Sequence, residues 1–262
     1  MSAGADKQLV RHRFRRALPT YAGHAKVQQR MAGRLLDMVG RAGAVPLASH
    51  LGRVFEFGSG AAMLTSLFFE RYSTDTFIAN DLVAESRLFV EQAVVGRPCG
   101  LLEFLPGDVE RLDPLPGNLD LVISNATLQW LHEPSWFFER LAESVRPGGI
   151  VAFSTFGVEN MREIAQLGET ALPYLSVDDI AALSGNSFEV ARLEHEIIRQ
   201  EFDAPEAVLR HIRATGVNGV SSRAWTRSRY LDFLGRYRAA YSSGSGVGLT
   251  WHPVYCCFRR RC

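Results

Sequence analysis

Four cysteines in 262 residues, Cys99, Cys256, Cys257 and Cys262, form no CxxC pair and no metal-ligand spacing. That excludes a zinc-built or disulfide-built scaffold and makes a reducing cytoplasm the default setting. No apolar run approaches ~18 residues, so no helix is expected to span a membrane. Internal repeats and low-complexity tracts are absent, which removes solenoids and disordered arrays. The basic stretch Arg11-His12-Arg13-Phe14-Arg15-Arg16 lacks the apolar segment that follows the charged start of a secretory signal. An Arg-rich, acid-poor start also suits an organellar transit peptide, but an ordinary basic helix is the simpler reading.

Net charge is +1, which by itself points to no partner, yet the charge is unevenly spread. Residues 1–34 carry eight Lys/Arg against one Asp, and residues 204–262 carry ten Arg against two acids, leaving the middle of the chain acidic. Basic ends can pack on the acidic core and pair with it, or form a docking face for an acidic partner. No RNA-binding motif or interleaving of basic and aromatic residues supports nucleic acid as that partner.

With 47% hydrophobic residues the chain can bury one substantial core. A stripe of Val27, Met31, Leu35, Met38 and Val39 predicts an amphipathic helix over 24–40. Apolar strands are expected at 53–57, 76–80, 102–105, 119–124 and 150–155, with helices over 62–72, 84–95 and 134–146, the last stopped by Arg146-Pro147-Gly148-Gly149. This alternation reads as a parallel α/β sheet. Two short helices are expected within 157–187, a sixth strand over 188–202, helices at 205–214 and 226–241, and, after the linker 242–246, a last strand over 249–258. The result is one domain over 1–262, with a helical cap at 1–45 and a helical lid at about 204–245.

The first strand ends in Glu56-Phe57-Gly58-Ser59-Gly60, and an acid, Asp81, follows 21 residues after Gly60. Glycine here lets the backbone turn sharply and approach a ligand, and an acid at that distance is placed to accept hydrogen bonds from ribose hydroxyls. Two departures argue against a dinucleotide. The third glycine needed to present a helix start to pyrophosphate is missing, since the run continues Ala61-Ala62-Met63. Glu56 would repel phosphates but suits a ligand's amino group. A ligand with adenosine, a sulfonium and an amino-acid end fits better.

Through these residues, the Gly107-Asp108-Val109 turn and Leu121-Val122-Ile123-Ser124-Asn125-Ala126, the chain resembles class I S-adenosylmethionine-dependent methyltransferases over about 50–156. The resemblance implies a Rossmann-like α/β fold with a seven-stranded, mostly parallel sheet whose last strand is antiparallel. It implies a cofactor site of Gln28, Glu56, Gly58, Ser59, Gly60, Asp81, Leu82, Gly107, Asp108, Val109, Asn125 and Ala126, with Glu56 near the amino-acid moiety, Asp81 on the ribose, Asp108 and Val109 beside the adenine, and Asn125 and Ala126 under the sulfonium. Many members have glycine where Ala62 stands.

A narrower resemblance runs nearly end to end. Thr20-Tyr21 with Gln28, Gln129-Trp130, the segment 209–218 containing Arg210 and Arg213, Trp225-Thr226-Arg227 and Leu249-Thr250-Trp251-His252-Pro253-Val254-Tyr255 are similar to the malonyl-acyl-carrier-protein O-methyltransferases of biotin synthesis. Trp251 stands where tyrosine is expected. This resemblance implies methylation of the free carboxylate of a malonyl thioester on an acidic acyl carrier protein by S-adenosylmethionine, with S-adenosylhomocysteine as product, no metal, a cytoplasmic setting and a monomer. A carboxylate is ionised at neutral pH and needs no general base. Arg213, then Arg210, are the candidates for holding it, with Tyr21 and His252 as further catalytic candidates. Gln129 and Trp130 would wall the substrate channel, and the arginines of the lid, Arg227 among them, would steer the carrier. The alternatives are a small carboxylate or hydroxyl as acceptor, and a cofactor-binding assembly protein that does not methylate.

Overall fold

The computed structural model describes residues 5–41, 49–168, 172–215, 226–244 and 246–262. Two helices precede the sheet, α1 (Lys7–His24) and α2 (Lys26–Arg41). Asp6 caps α1 by accepting from the Gln8 and Leu9 amides. The expected stripe on α2 is fully used, with Val27, Met31, Leu35, Met38 and Val39 all buried.

The central sheet is built from β1 (His50–Phe57), β2 (Ser73–Asp81), β3 (Cys99–Pro106), β4 (Leu119–Asn125), β5 (Val145–Phe156), β6 (Phe188–His195) and β10 (Pro253–Arg260). Its order is β3-β2-β1-β4-β5-β10-β6, with β10 antiparallel to both neighbours. Helices α3 (Met63–Phe69), α4 (Ser86–Val94) and α5 (Pro134–Ser144) alternate with the early strands, as the hydrophobic pattern predicts. On β1 and β4, successive side chains enter opposite layers. Val54, Leu121 and Ile123 join the core under α2, while Phe55, Phe57 and Val122 join that under α5.

Two predicted strands each divide in the structure. The 188–202 segment forms β6 and then β7 (Ile198–Phe202), and the 249–258 segment forms β9 (Gly246–Trp251) and then β10. Strand β7 pairs with β9 in a small second sheet, β7-β9-β8, where β8 is Ser242–Ser243. The chain leaves the main sheet at Glu196, whose carboxylate receives Arg30, Arg34 and the Tyr255 hydroxyl. The second division falls at His252, packed against Gly157, where a Cβ would lie 2.7 Å from the imidazole.

The short helices α6 (Arg162–Gln166) and α7 (Val177–Ala182) follow β5, and α8 (Pro205–Ala214) and α9 (Arg227–Tyr241) follow β7. Helix α8 packs against α1 and α9. The expected motif residues 216–218 and 225 lie outside the described residues. Among the described residues no helix is long and apolar enough to cross a membrane.

Candidate active site

The carboxyl ends of β1, β2 and β4 and the turn after β3 surround a cavity of about 980 Å³, counting its open mouth. It sits where strand order reverses between β1 and β4, the crevice in which open α/β sheets hold ligands. One face of α1, carrying Lys7, Val10, Arg11, Phe14, Leu18 and Tyr21, covers it.

Glycine is required at Gly58, where φ is +71° and a Cβ would come within 2.1 Å of the Thr127 hydroxyl oxygen. The Gly58 and Ser59 amides donate to the Asn80 carbonyl at 2.8 and 3.0 Å, folding the turn over the end of β2. Ala62 reaches the left-handed conformation, φ +57°, that glycine adopts more readily, so the turn closes without the missing glycine. Its amide donates to the Ser59 carbonyl at 2.8 Å.

Three carboxylates line the cavity. Glu56 is fully buried and accepts from the Thr65 hydroxyl at 2.6 Å. Burial pushes its carboxyl up to about 8, with the Asp81 charge adding to the rise and the Thr65 hydrogen bond opposing it. Asp81 accepts from the Gly60 amide at 2.8 Å and the Val83 amide at 2.7 Å. Burial raises it, against those two hydrogen bonds. Asp108 accepts from the Glu110 amide at 3.1 Å and pairs with Lys7 at 2.7 Å. Lys7 also reaches Glu110, which accepts from the His132 and Glu133 amides. The start of α1 is thereby fastened beside Asp108.

These residues fit an adenosine ligand with a cationic amino-acid end. The Ser59 hydroxyl lines the cavity buried and without a hydrogen-bond partner among the described residues, a polar atom such a ligand would satisfy. Glu56 offers a negative charge once a cation arrives, and Leu82, Val109, Trp130 and Leu131 supply apolar wall. Each carboxylate of Asp81 and Asp108 keeps lone pairs beyond those the protein uses. Among the described residues no group of three or more His, Cys, Asp or Glu is arranged to hold a metal.

Asn125 and Ala126 form the floor of the opposite wall. The Ser154 hydroxyl donates to the Asn125 side-chain oxygen at 2.6 Å, and the Ala126 amide to the Ser154 carbonyl at 2.9 Å. Tyr21 and Trp130 also line the cavity, each in contact with Phe14, with ring centroids 6.1 and 5.5 Å away. Burial, then the Asp81 charge, pushes the Tyr21 hydroxyl well above the usual phenol range, so it keeps its proton and can only donate or accept as a neutral group.

Several expected site residues stand elsewhere. Gln129 donates to the Ala126 carbonyl at 2.7 Å and accepts from Thr155 at 3.0 Å, so it braces the β4 loop. Gln28 is buried behind Asn125, whose amide donates to the Gln28 carbonyl at 3.1 Å. Arg210 and Arg213 lie exposed on α8, and Arg227 is exposed at the start of α9. None of these five is in the lining. His252 is also outside it; its Nδ1 accepts from the Glu159 amide at 3.2 Å and its Nε2 lies 3.3 Å from His195. Burial, then His195, lowers its proton affinity, as expected of a packed, neutral histidine.

Lys7, Arg11, Phe14 and Thr127 line the cavity without having been singled out from the sequence. The signal was available in α1, where 7, 11, 14, 18 and 21 recur at helical spacing, but the arginines between them masked it. The basic ends pair with the acidic core only in part. Arg15 pairs with Glu85, Arg30 with Glu196, and Arg34 with Glu194 and Glu196. Arg11, Arg16, Arg210 and Arg213 have no ion pair among the described residues and face solvent.

A family model described as a methyltransferase domain matches residues 55–153. The malonyl-[acyl-carrier protein] O-methyltransferase of Prosthecochloris aestuarii is 47% identical over 97% of this chain and 94% of its own. That of Chlorobium luteolum is 46% identical over 100% and 98%, and that of Haemophilus influenzae 32% identical over 95% and 93%. Among solved structures, a Bacillus halodurans C-125 protein superposes with a TM-score of 0.62 at 13% identity, over 87% of this chain and 99% of that one. A Haemonchus contortus N-methyltransferase in complex with S-adenosylhomocysteine gives 0.52 at 15% identity, over 87% and 52%. At such identities these two likenesses speak for the fold.

Proposed function

The chain belongs to the malonyl-[acyl-carrier protein] O-methyltransferase family, and we propose on that footing that it methylates the free carboxylate of a malonyl thioester carried on acyl carrier protein. The observation that carries this reading is the end-to-end match to its relatives, which takes in α1 and the lid as well as the cofactor turn. The acceptor is chosen by those outer elements. A methyl ester masks a charge so that fatty-acid machinery can extend the chain, here toward biotin.

S-adenosylmethionine, when bound, supplies a methyl group made electrophilic by its sulfonium. Glu56 would hold its ammonium group, Asp81 its ribose and Asp108 its adenine, with the Ser59 hydroxyl gaining a partner. An ionised carboxylate attacks without a base, so the protein's work is alignment and exclusion of water. Near-attack positioning of this kind is worth roughly 7–11 kcal/mol. Tyr21, held protonated, donates a hydrogen bond that orients the acceptor. Phe14, Leu18 and Trp130 keep bulk water from the transfer.

Arg210 and Arg213 have a different use from holding the malonyl carboxylate. Exposed on α8 beside α1, they serve the reading as part of a basic surface that steers an acidic carrier, an effect weakened by salt. Arg227 at the start of α9 extends it. His252 serves by holding the bend between β9 and β10. Methyl-ester formation on malonyl-carrier protein, set against free malonate and malonyl-coenzyme A, tests the assignment.

A further inference from the structure

Five charged side chains line the cavity: the acids Glu56, Asp81 and Asp108, and the cations Lys7 and Arg11. Lys7 is consumed by Asp108 and Glu110. Arg11 has neither a hydrogen bond nor an ion pair among the described residues and is exposed to solvent. Taking the helical rise, it stands about 6 Å along α1 from Lys7 and about 15 Å from Tyr21. With Lys7 paired, Arg11 is the cation of the lining that no acid of the described residues engages, and so the group there that can attract an anion.

We propose that Arg11 receives an anionic group of the thioester substrate at the cavity mouth. The inference rests on the malonyl-thioester reading above. Two groups of such a substrate share this chemistry, the malonyl carboxylate itself and the phosphodiester that tethers a carrier's thioester arm. Arginine offers either one a planar two-pronged donor. An exposed position suits the task, because methyl transfer removes the carboxylate's charge and a buried, tight ion pair would stabilise the reactant over the transition state. Solvent screening keeps the grip loose enough to orient without trapping.

The test compares wild type with Arg11→Ala and Arg11→Lys on malonyl-carrier protein and on malonyl-N-acetylcysteamine, which keeps the carboxylate and lacks the phosphodiester. Binding of S-adenosylhomocysteine is measured by calorimetry alongside. Arg11→Ala should raise KM for malonyl-carrier about tenfold or more, with partial recovery in Arg11→Lys and an unchanged cofactor Kd. An equal rise on the small thioester assigns the carboxylate; a rise shared by malonyl-carrier and malonyl-phosphopantetheine ethyl diester, which keeps the phosphodiester without the protein, and absent from the small thioester assigns the phosphodiester, whereas a rise confined to the carrier protein overturns the inference in favour of surface steering. Unchanged KM on all three substrates, or a loss confined to cofactor affinity, overturns the inference while leaving the malonyl reading standing. Wild-type protein that methylates no malonyl thioester would remove that reading and this inference with it.

Discussion

Thr65 on α3 donates its hydroxyl across 2.6 Å to Oε2 of Glu56 on β1, a carboxyl that lines the cavity. Hydrogen bonding from Thr65 does not offset full burial, and the group is pushed up to about 8, above the usual carboxylate range. At neutral pH burial therefore favours the protonated form of Glu56.

A ligand ammonium group favours the ionised form, so cofactor binding expels that proton. Affinity for S-adenosylhomocysteine should rise with pH up to about 8 and then level, weakening by up to about tenfold per unit below that. Glu56→Gln should flatten the slope. Calorimetry from pH 6 to 9, in two buffers of different ionisation enthalpy, reads both the affinity and the proton release. A wild-type affinity independent of pH contradicts this account of Glu56.

Tyr21 has its proton held by burial and by the Asp81 charge. Tyr21→Phe should lower kcat about tenfold, the usual worth of a hydrogen bond to a charged group, and leave cofactor affinity unchanged. Tyr21→Ala should cost more, since the contact with Phe14 goes as well. A Phe variant with wild-type kcat would restrict Tyr21 to closing the cavity.

His252 is expected to act through the fold. His252→Ala removes its bonds to the Glu159 amide and His195 and should destabilise by about 2–3 kcal/mol while kcat per folded molecule stays within about twofold. The folded protein holds this imidazole below its ordinary 6.5, so the unfolded chain takes up the proton first. Its contribution is complete above about 6.5 and is lost as pH falls through the lower folded-state value. Chemical denaturation of wild type and variant at pH 5, 6 and 7.5 measures this. A variant of normal stability with abolished turnover would return His252 to the chemistry.

The sheet was legible because each early strand is a short apolar run followed by a turn, and because Gly58, Gly60 and Asp81 fall at the spacing of a strand, a glycine turn and a second-strand acid. Helix α2 was legible from its buried stripe. Helix α1 was harder to read, since its cavity face mixes Lys7 and Arg11 with Phe14 and Tyr21 and carries no clean apolar period. The divided strands were invisible for a related reason. Residues on both sides of Glu196 and His252 are equally apt for strands, and the break comes from ion pairs and packing with distant segments. Arginine placement failed most plainly. The resemblance drew attention to Arg210 and Arg213 on α8 and Arg227 on α9, which lie outside the lining, whereas Lys7 and Arg11 of α1 are in it, a distinction that depends on which helix lies over the turn.

The central claim is the identity of the acceptor. Incubation of malonyl-carrier protein with S-adenosylmethionine and the enzyme, followed by mass spectrometry of the carrier, should show the mass of one added methyl ester on the malonyl group. Yield should exceed that from malonyl-coenzyme A or free malonate. Cofactor bound at the Glu56 and Asp81 site with no methyl ester on any malonyl thioester would contradict it.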